Sequence, residues 1–423
     1  MNILYYMEPH PIRNMFTNFN GTMAKLLPLL QNNFEGNDKV YIYSNKTALD
    51  KLAGKYSELK KYLIYPTDEE ETFFQSKLKD WETEGITEWI DLMSKPDKNY
   101  VEIIKRVCKE YDIEIVIHWA SNATVRHTAK QLKIGYADLE LGCCRAPYMP
   151  TLAADPWGVN GSAVLSRAKI KDLKIITDVY PAVYDLQYSS GDESAIMCGY
   201  NYITDNSLLS IVNTRKKIAF IPLQLFDDAN LLIYSPYKSP KEALQDVLPK
   251  LEQNDYFCMI KEHPLSERRG GLSLKANREA KAYAQNFKNI LWIDNKYKDI
   301  NNALYYKMSD LIITVNSSTG FEGLLYDKPC IVLGEAVYKV GGVFPSLNQY
   351  FSPSFSFAKY QYRAAQIRSF FLRSYLLNEK LLTPEYFMRK IKMIGEMGKK
   401  NMTIEEIIET YHNYRSERSV YRK

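Results

Sequence analysis

Three polar clusters follow apolar, strand-like runs in the second half of the chain, and their residue types suit anion binding. The first is Pro222-Leu-Gln224, with Asp227 and Asp228 just beyond. The second is Lys261-Glu-His263-Pro264, directly after Phe-Cys-Met-Ile. The third opens the stretch from Ser309 to Gly334, where the β-branched run Leu311 to Val315 stops at Asn316 and gives way to Ser317, Ser318, Thr319 and, after Gly320-Phe321, Glu322. A lysine, a histidine able to donate to an oxyanion and the amino end of a helix would together hold a diphosphate or phosphodiester without a metal. Thr319-x-x-Glu322 has capping-box spacing, so a helix is expected to start there, and Gly320 and Gly323 would let a phosphate approach its first turn. The plain alternative is a capped βαβ crossover that binds nothing.

A second group lies earlier. Glu140-x-Gly142-x-x-Arg145 ends a strand-like run, and Asp155-Pro-Trp157-Gly158-Val159-Asn160 follows. A carboxylate with a cation nearby offers a general base or a nucleophile. Trp157, with Asn160 beside it, could form a wall for a sugar ring or simply anchor the loop.

These residues need a scaffold, and the apolar periodicity supplies one. Strands are expected at 3–7, 39–44, 113–119 and 136–142, with helices at 17–30, 101–111 and 122–132. The charged stretch from Lys51 to Lys98 reads as loops with one or two surface helices. A connection between domains is placed within Tyr180 to Lys217. A second alternating series follows, with strands at 217–223, 256–262, 290–293, 311–315 and 330–333. Such alternation predicts parallel sheets whose ligands sit beyond the carboxyl ends of strands, which also singles out His118 to Asn122. The expected architecture is α/β and GT-B-like: two doubly wound Rossmann-like domains, 1–214 and 215–423, facing a central crevice and followed by C-terminal helices.

Composition narrows the class. The chain has 423 residues, 46% hydrophobic and 25% charged, which suits a soluble globular protein. A formal charge of +5 gives no reason to invoke nucleic acid. No apolar run is long enough for a membrane span and the first residues lack a signal-peptide pattern, so a cytoplasmic location is expected. The basic residues beyond Tyr360, Arg368 and Lys390 among them, could lie against anionic lipid at the inner face of the membrane, although the solvated face of amphipathic helices is the preferred reading. Six cysteines without paired spacing suggest buried, reduced thiols and no metal site.

Taken together, ELGCCRAPYMPTLAADPWGVNG, IPLQLFDD, IKEHP and VNSSTGFEGLLYDKPCIVLGEAVY resemble the bacterial capsular polysaccharide biosynthesis proteins that include the β-Kdo transferases. The resemblance covers Tyr136 to Tyr338. It implies a GT-B glycosyltransferase with no cofactor, taking a nucleotide-sugar donor, CMP-Kdo in that family, in the C-terminal domain and a glycan or glycolipid acceptor in the N-terminal one. By matched position Lys261, His263, Ser317, Ser318, Thr319 and Glu322 would bind the donor with Gln224 nearby, and His263 would also serve catalysis. Arg145, Trp157 and Asn160 would serve the acceptor or position it. Asp155 or Glu140 would be the reacting carboxylate, with Asp155 placed first as nucleophile and Glu140 as acid/base or positioning residue. Two departures stand out: Ala153-Ala154-Asp155 replaces the usual approach to the Gly-Val-Asn element, and Gly323 stands where the family has alanine. A teichoic-acid-type polyol-phosphate transferase, a nucleotide-sugar 2-epimerase and a GT-B-like domain that binds without turnover are the competing readings.

Overall fold

A computed structural model describes residues 1–8, 26, 38–77, 79, 84–145, 150–173, 216–295, 302–379 and 382–414. The helix expected at 17–30, apart from Leu26, and most of the connection expected within 180–217 lie outside the described residues. The chain divides into two compact units, one of residues 1–141, 153–164 and 381–407, the other of 142–152, 165–380 and 408–423. The division departs from a single cut near residue 214, because the chain returns to the first unit near its end.

The first sheet contains β1 (Asn2–Tyr6), β2 (Lys39–Tyr43), β3 (Leu63–Ile64), β4 (Ile113–Trp119), β5 (Gly135–Leu141), β6 (Thr151–Asp155) and β12 (Leu377–Asn378). Its order is β12-β6-β5-β4-β1-β2-β3. The pairs β1–β2, β1–β4, β2–β3 and β4–β5 are parallel, while β12 runs antiparallel to β6. Both faces of strands such as β4 are buried, with Ile113, Ile115, Val116, Ile117, His118 and Trp119 all inside, which explains their near-continuous apolar sequences. The stretch 51–98 is more ordered than its charge suggested. Helices α1 (Lys46–Lys55), α2 (Asp68–Ser76) and α3 (Ile86–Ser94) occupy it, α2 opening on a Thr67–Glu70 capping box. Two further helices, α4 (Lys98–Glu110) and α5 (Ala123–Leu132), flank β4. Tyr6, Tyr43, Phe74, Tyr100, Ile104, Val116 and Tyr136 share one core cluster.

The second sheet is formed by β7 (Ile218–Pro222), β8 (Phe257–Lys261), β9 (Ile290–Ile293), β10 (Leu311–Thr314) and β11 (Cys330–Val332). Its order is β11-β10-β7-β8-β9, parallel throughout. The connecting helices are α6 (Pro240–Gln253), α7 (Gly271–Ala284), α8 (Asn302–Met308) and α9 (Thr319–Leu324). Every strand expected in this half is present within one or two residues. Two units built on predominantly parallel sheets give the α/β, doubly wound class that the sequence pattern requires.

Near the C-terminus α10 (Phe357–Phe370) belongs to the second unit and α11 (Pro384–Lys399) to the first. Helix α11 comes down on β5 where Gly135 and Gly395 leave room. A Cβ on Gly135 would stand 3.0 Å from the Gly395 backbone, and one on Gly395 would stand 2.7 Å from Ile115 Cδ1. The basic residues here are not uniformly solvated. Arg368 is 3% exposed and donates to Asp327 at 2.7 Å and to the Leu324 carbonyl at 2.5 Å, and Lys390 is fully buried. Burial pulls the Lys390 ammonium down to about 7. The solvated-face expectation therefore fails at these two positions, where aliphatic stems and charges are both inside.

Candidate functional site

The second sheet changes direction between β7 and β10: the chain adds β8 and β9 on one side of β7, then β10 and β11 on the other. Ligands of open α/β sheets bind beyond the strand ends at such a switch point. Gln224 follows the end of β7, Lys261 is the last residue of the adjoining β8, and Asn316 to Thr319 follow β10. Sequence order thus puts three polar clusters at one end of one sheet, and the structure ties several of them together.

Glu322 is the centre of that network. It is 5% exposed, and its carboxylate accepts from the Tyr306 hydroxyl at 2.7 Å. Burial pushes its pKa up to about 7, against the opposing effects of the Tyr306 bond, the charge and backbone N–H of Arg145, and the charge of Lys261. Thr319 and Asn302 also bond the Tyr306 side chain. Lys261, 5% exposed, donates to Asn302 Oδ1 at 2.7 Å and sits 4.9 Å from the centroid of the Tyr305 ring. Burial lowers its pKa to about 8, with Glu322 acting the other way. A buried carboxyl and a buried ammonium are therefore poised within reach of neutral pH, as functional pairs often are.

Lys261, Thr319, Glu322 and Arg145 are thus drawn into one neighbourhood, with Asn302, Tyr305 and Tyr306 as members the sequence did not single out. The adjacent Tyr305-Tyr306 pair before Ser309 was the available signal. Gln224 is buried at the end of β7. His263 is half-buried and its Nδ1 accepts from the Leu265 N–H at 3.1 Å, which leaves Nε2 as the protonated nitrogen of the neutral ring. Ser317 Oγ lies 3.1 Å from Thr319 Oγ1 and accepts from the Thr319 N–H.

Three expectations about the helix start need correction. The Thr319–Glu322 capping box does not form: Ser318 is the residue before α9, its side chain makes no cap bond, and Glu322 turns to Tyr306. The first-turn N–H groups are largely occupied, those of Gly320 and Glu322 by the carbonyls of Ser317 and Ser318. The two glycines serve packing. A Cβ on Gly320 would meet the Tyr338 hydroxyl at 2.3 Å, and one on Gly323 would meet Ile312 Cδ1 at 2.3 Å.

The other candidates belong to the first unit, where β6, a strand absent from the sequence reading, carries Asp155 at its end. Asp155 is fully buried, and its Oδ1 accepts from the N–H groups of Trp157 at 2.8 Å and Gly158 at 3.2 Å, while Oδ2 accepts from Val164 at 3.2 Å. A carboxylate tied this way anchors its own loop. Glu140 is partly exposed and Oε1 accepts from the neighbouring Leu141 N–H at 2.8 Å. The Trp157 carbonyl accepts from Arg126 at 2.6 Å, and Asn160 holds a left-handed φ of 52°.

A cavity of about 860 Å³ lies at the opposite end of the second sheet, lined by Tyr256, Asp310 and Pro329 at the amino ends of β8, β10 and β11. It is remote from the strand ends that carry the network. Among the described residues, no group of three or more His, Cys, Asp or Glu side chains is placed to hold a metal ion, and no helix is long and apolar enough to cross a membrane.

The chain is 26% identical over 147 residues to the capsule polysaccharide modification protein LipB of Neisseria meningitidis, a match covering 34% of each chain. It is 23% identical over 124 residues to the capsule polysaccharide export protein KpsS of Escherichia coli, covering 29% of this chain and 31% of that one. The matches span about a third of the length of these curated relatives. Among solved structures it is similar to KpsC of Thermosulfurimonas dismutans, described as a β-Kdo 2,7 transferase, with a TM-score of 0.40 and 15% identity over 92% of this chain and 98% of that one. Residues 184–359 match the family model described as capsule polysaccharide biosynthesis protein, a span that includes Gln224, Lys261, His263 and Ser317 to Glu322 but not Glu140 to Asn160. Across that span the chain carries the sequence pattern of the capsule polysaccharide biosynthesis family.

Proposed function

We propose that the chain is a glycosyltransferase of capsular or surface polysaccharide biosynthesis that takes a nucleotide sugar, CMP-Kdo in the first instance, and passes the sugar to a glycan or glycolipid acceptor. The observation that carries this reading is the buried Lys261–Glu322–Tyr306 network at the switch point of the second sheet, inside the stretch that matches the capsule family. In this reading Lys261 and the Ser317 to Thr319 hydroxyls receive the donor phosphate, and His263 donates from Nε2 to the leaving oxygen. Glu322 keeps Lys261 charged and is a candidate for the ribose hydroxyls, with Gln224 alongside.

An approaching phosphate favours the ammonium form of Lys261, so binding draws a proton to the site. Loss of the nucleotide leaves a negative charge on phosphate that the lysine and the histidine would stabilise. Glu140, whose carboxylate is partly exposed, takes precedence over Asp155 as the group available to the reacting sugar or acceptor. Arg145 contributes by holding Glu322, and Trp157 and Asn160 shape the loop after β6. The reading implies no cofactor, and contact with the inner face of a membrane would follow from a lipid-linked acceptor.

Thermal-shift titration with CMP, CDP, UDP and GDP tests the donor. A ligand at a hundred times its Kd adds about 2.7 kcal/mol to stability. CMP alone should produce that shift. Stabilisation by CDP with release of CMP from CDP-glycerol would favour the polyol-phosphate transferase, and stabilisation by UDP with turnover of a UDP-sugar lacking any acceptor would favour the epimerase.

A further inference from the structure

The cavity at the amino ends of β7, β8, β10 and β11 lies within the second unit, and donor binding does not use it. β8 is five residues long, so the cavity stands about 15 Å from the Lys261 end of the sheet. One wall is aromatic. The Tyr350 ring centroid is 5.2 Å from that of Phe351 and 5.0 Å from that of Phe355, and Phe351 packs edge-on to Tyr256 at 5.8 Å. Tyr350, Phe351 and Phe355 are half-buried, while Phe357, the first residue of α10, is 44% exposed. Rings gathered on one open cavity are more than the single exposed apolar residues of an ordinary surface.

The polar groups around these rings divide into those already paired and those available. Lys216 pairs with Asp255, and Arg368 with Asp327 at 2.7 Å, so both carboxylates are neutralised. Asp310 Oδ2 accepts from the Ile218 N–H at 2.8 Å, which fixes the carboxylate and leaves Oδ1 for another donor. Lys217 is exposed and has no ion pair among the described residues, and the Gln361 amide makes no hydrogen bond to them. Lys328 reaches only the Lys307 carbonyl, at 3.4 Å, and burial lowers its pKa, with Asp310 acting the other way. Two ammonium groups thus stand against one carboxylate, and the amino end of α10 adds partial positive charge. The balance is a single surplus positive charge, set among flat rings and hydrogen-bonding groups of both kinds.

That combination selects a ligand class. An acyl chain would bury Asp310 and Gln361 without partners. A carboxylate-bearing sugar meets every feature: its C–H face stacks on a ring, its hydroxyls donate to Asp310 and accept from Gln361, and its carboxylate answers the surplus lysine. We propose that this cavity is a second saccharide site, in which Phe357 is the stacking platform, Lys217 and Lys328 hold the carboxylate of an acidic sugar chain, and Asp310 and Gln361 bind its hydroxyls. A chain held there stays at the protein between encounters and raises its own local concentration. That the chain is the capsular polymer rests on the transferase reading, whereas the preference for acidic saccharide does not.

Saturation-transfer NMR and calorimetric titration of the full chain test it without any turnover. The probes are trigalacturonic acid and an α2,8-linked sialic acid trimer, with maltotriose as the neutral control and phosphatidylglycerol vesicles as the lipid arm. At least one acidic trimer should bind more tightly than maltotriose, and saturating CMP should not displace it. Phe357→Ala should weaken that binding about tenfold, with the thermal midpoint and CMP affinity unchanged, since the ring is half in solvent. Lys217→Gln should reduce the margin of the acidic trimer over maltotriose at least about threefold. Binding of neither acidic trimer, displacement by CMP, or full affinity in Phe357→Ala overturns the site. Equal binding of maltotriose overturns the acidic preference, and Phe357-dependent binding of vesicles in place of the trimers overturns the saccharide assignment. A protein that binds the trimer but transfers no sugar fails the transferase reading alone and upholds the site.

Discussion

The Tyr306 hydroxyl donates to Glu322 Oε2 at 2.7 Å in the interior of the second unit, and this bond takes the carboxylate that local spacing would have assigned to a helix cap. Glu322 keeps its proton up to about 7 when folded, against an ordinary value of 4.5. Its folded pKa is raised, so its contribution to stability is complete below about pH 4.5 and is lost as pH rises through 7. The cost of ionising it inside the fold is about 3 kcal/mol. Glu322→Gln, which keeps an acceptor for Tyr306, should remove that decline. Urea unfolding of both proteins between pH 4.5 and 8 measures it, and parallel curves would refute it.

Lys261 titrates in the opposite sense. Burial lowers its pKa to about 8, so a cost of folding is present below that pH and disappears as pH climbs towards the ordinary 10.5. Nucleotide phosphate needs the ammonium form, and CMP affinity should fall about tenfold per pH unit above 8 in the wild-type protein. Lys261→Met should weaken binding at least about tenfold at pH 7 and abolish this dependence. Isothermal titration from pH 6.5 to 9.5 checks both, and a flat wild-type profile would remove Lys261 from the phosphate site.

Asp155 is predicted to matter for folding more than for chemistry. Asp155→Asn keeps one acceptor oxygen but turns an amide towards the Val164 N–H, and should destabilise the protein by about 1–3 kcal/mol while leaving measurable transfer. Glu140→Gln should show the reverse, with stability kept and transfer lost. Denaturant midpoints read beside initial rates separate the two carboxylates. Complete loss of transfer in Asp155→Asn at unchanged stability would restore it as the nucleophile.

The two glycines of α9 should differ. At Gly320 an added methyl meets a Tyr338 hydroxyl already committed to the Ser317 carbonyl, so Gly320→Ala should cost about 1–3 kcal/mol. At Gly323 the obstacle is the mobile end of Ile312, and alanine, the residue usual in the family, should cost less than about 1 kcal/mol. Thermal unfolding of the two variants tests the order.

Much of the scaffold is legible in the sequence because its strands are buried on both faces. Ile113 to Trp119, Phe257 to Ile260 and Leu311 to Val315 are near-continuous apolar runs for that reason, and their ends locate His118, Lys261 and Ser317 without coordinates. β6 was not legible: Thr151 to Asp155 is short and contains two alanines, and only its place beside β5 and β12 makes it a strand. The return of α11 to the first unit was equally hidden, since chain order carries no record of which sheet a terminal helix covers.

The sequence by itself determined the α/β alternation, the capsule-family pattern and the polar clusters at the carboxyl ends of the second unit's strands, because these follow from periodicity and local spacing. Only the tertiary structure decided what the side chains do there. Glu322 pairs with Tyr306, Lys261 with Asn302, and Asp155 with its own loop. The physical reason is that a buried polar group takes whichever partner folding brings within about 3 Å, and that partner can be distant in the chain. Glu8 and His118 show it most plainly, 110 residues apart in sequence and joined at the ends of adjacent strands.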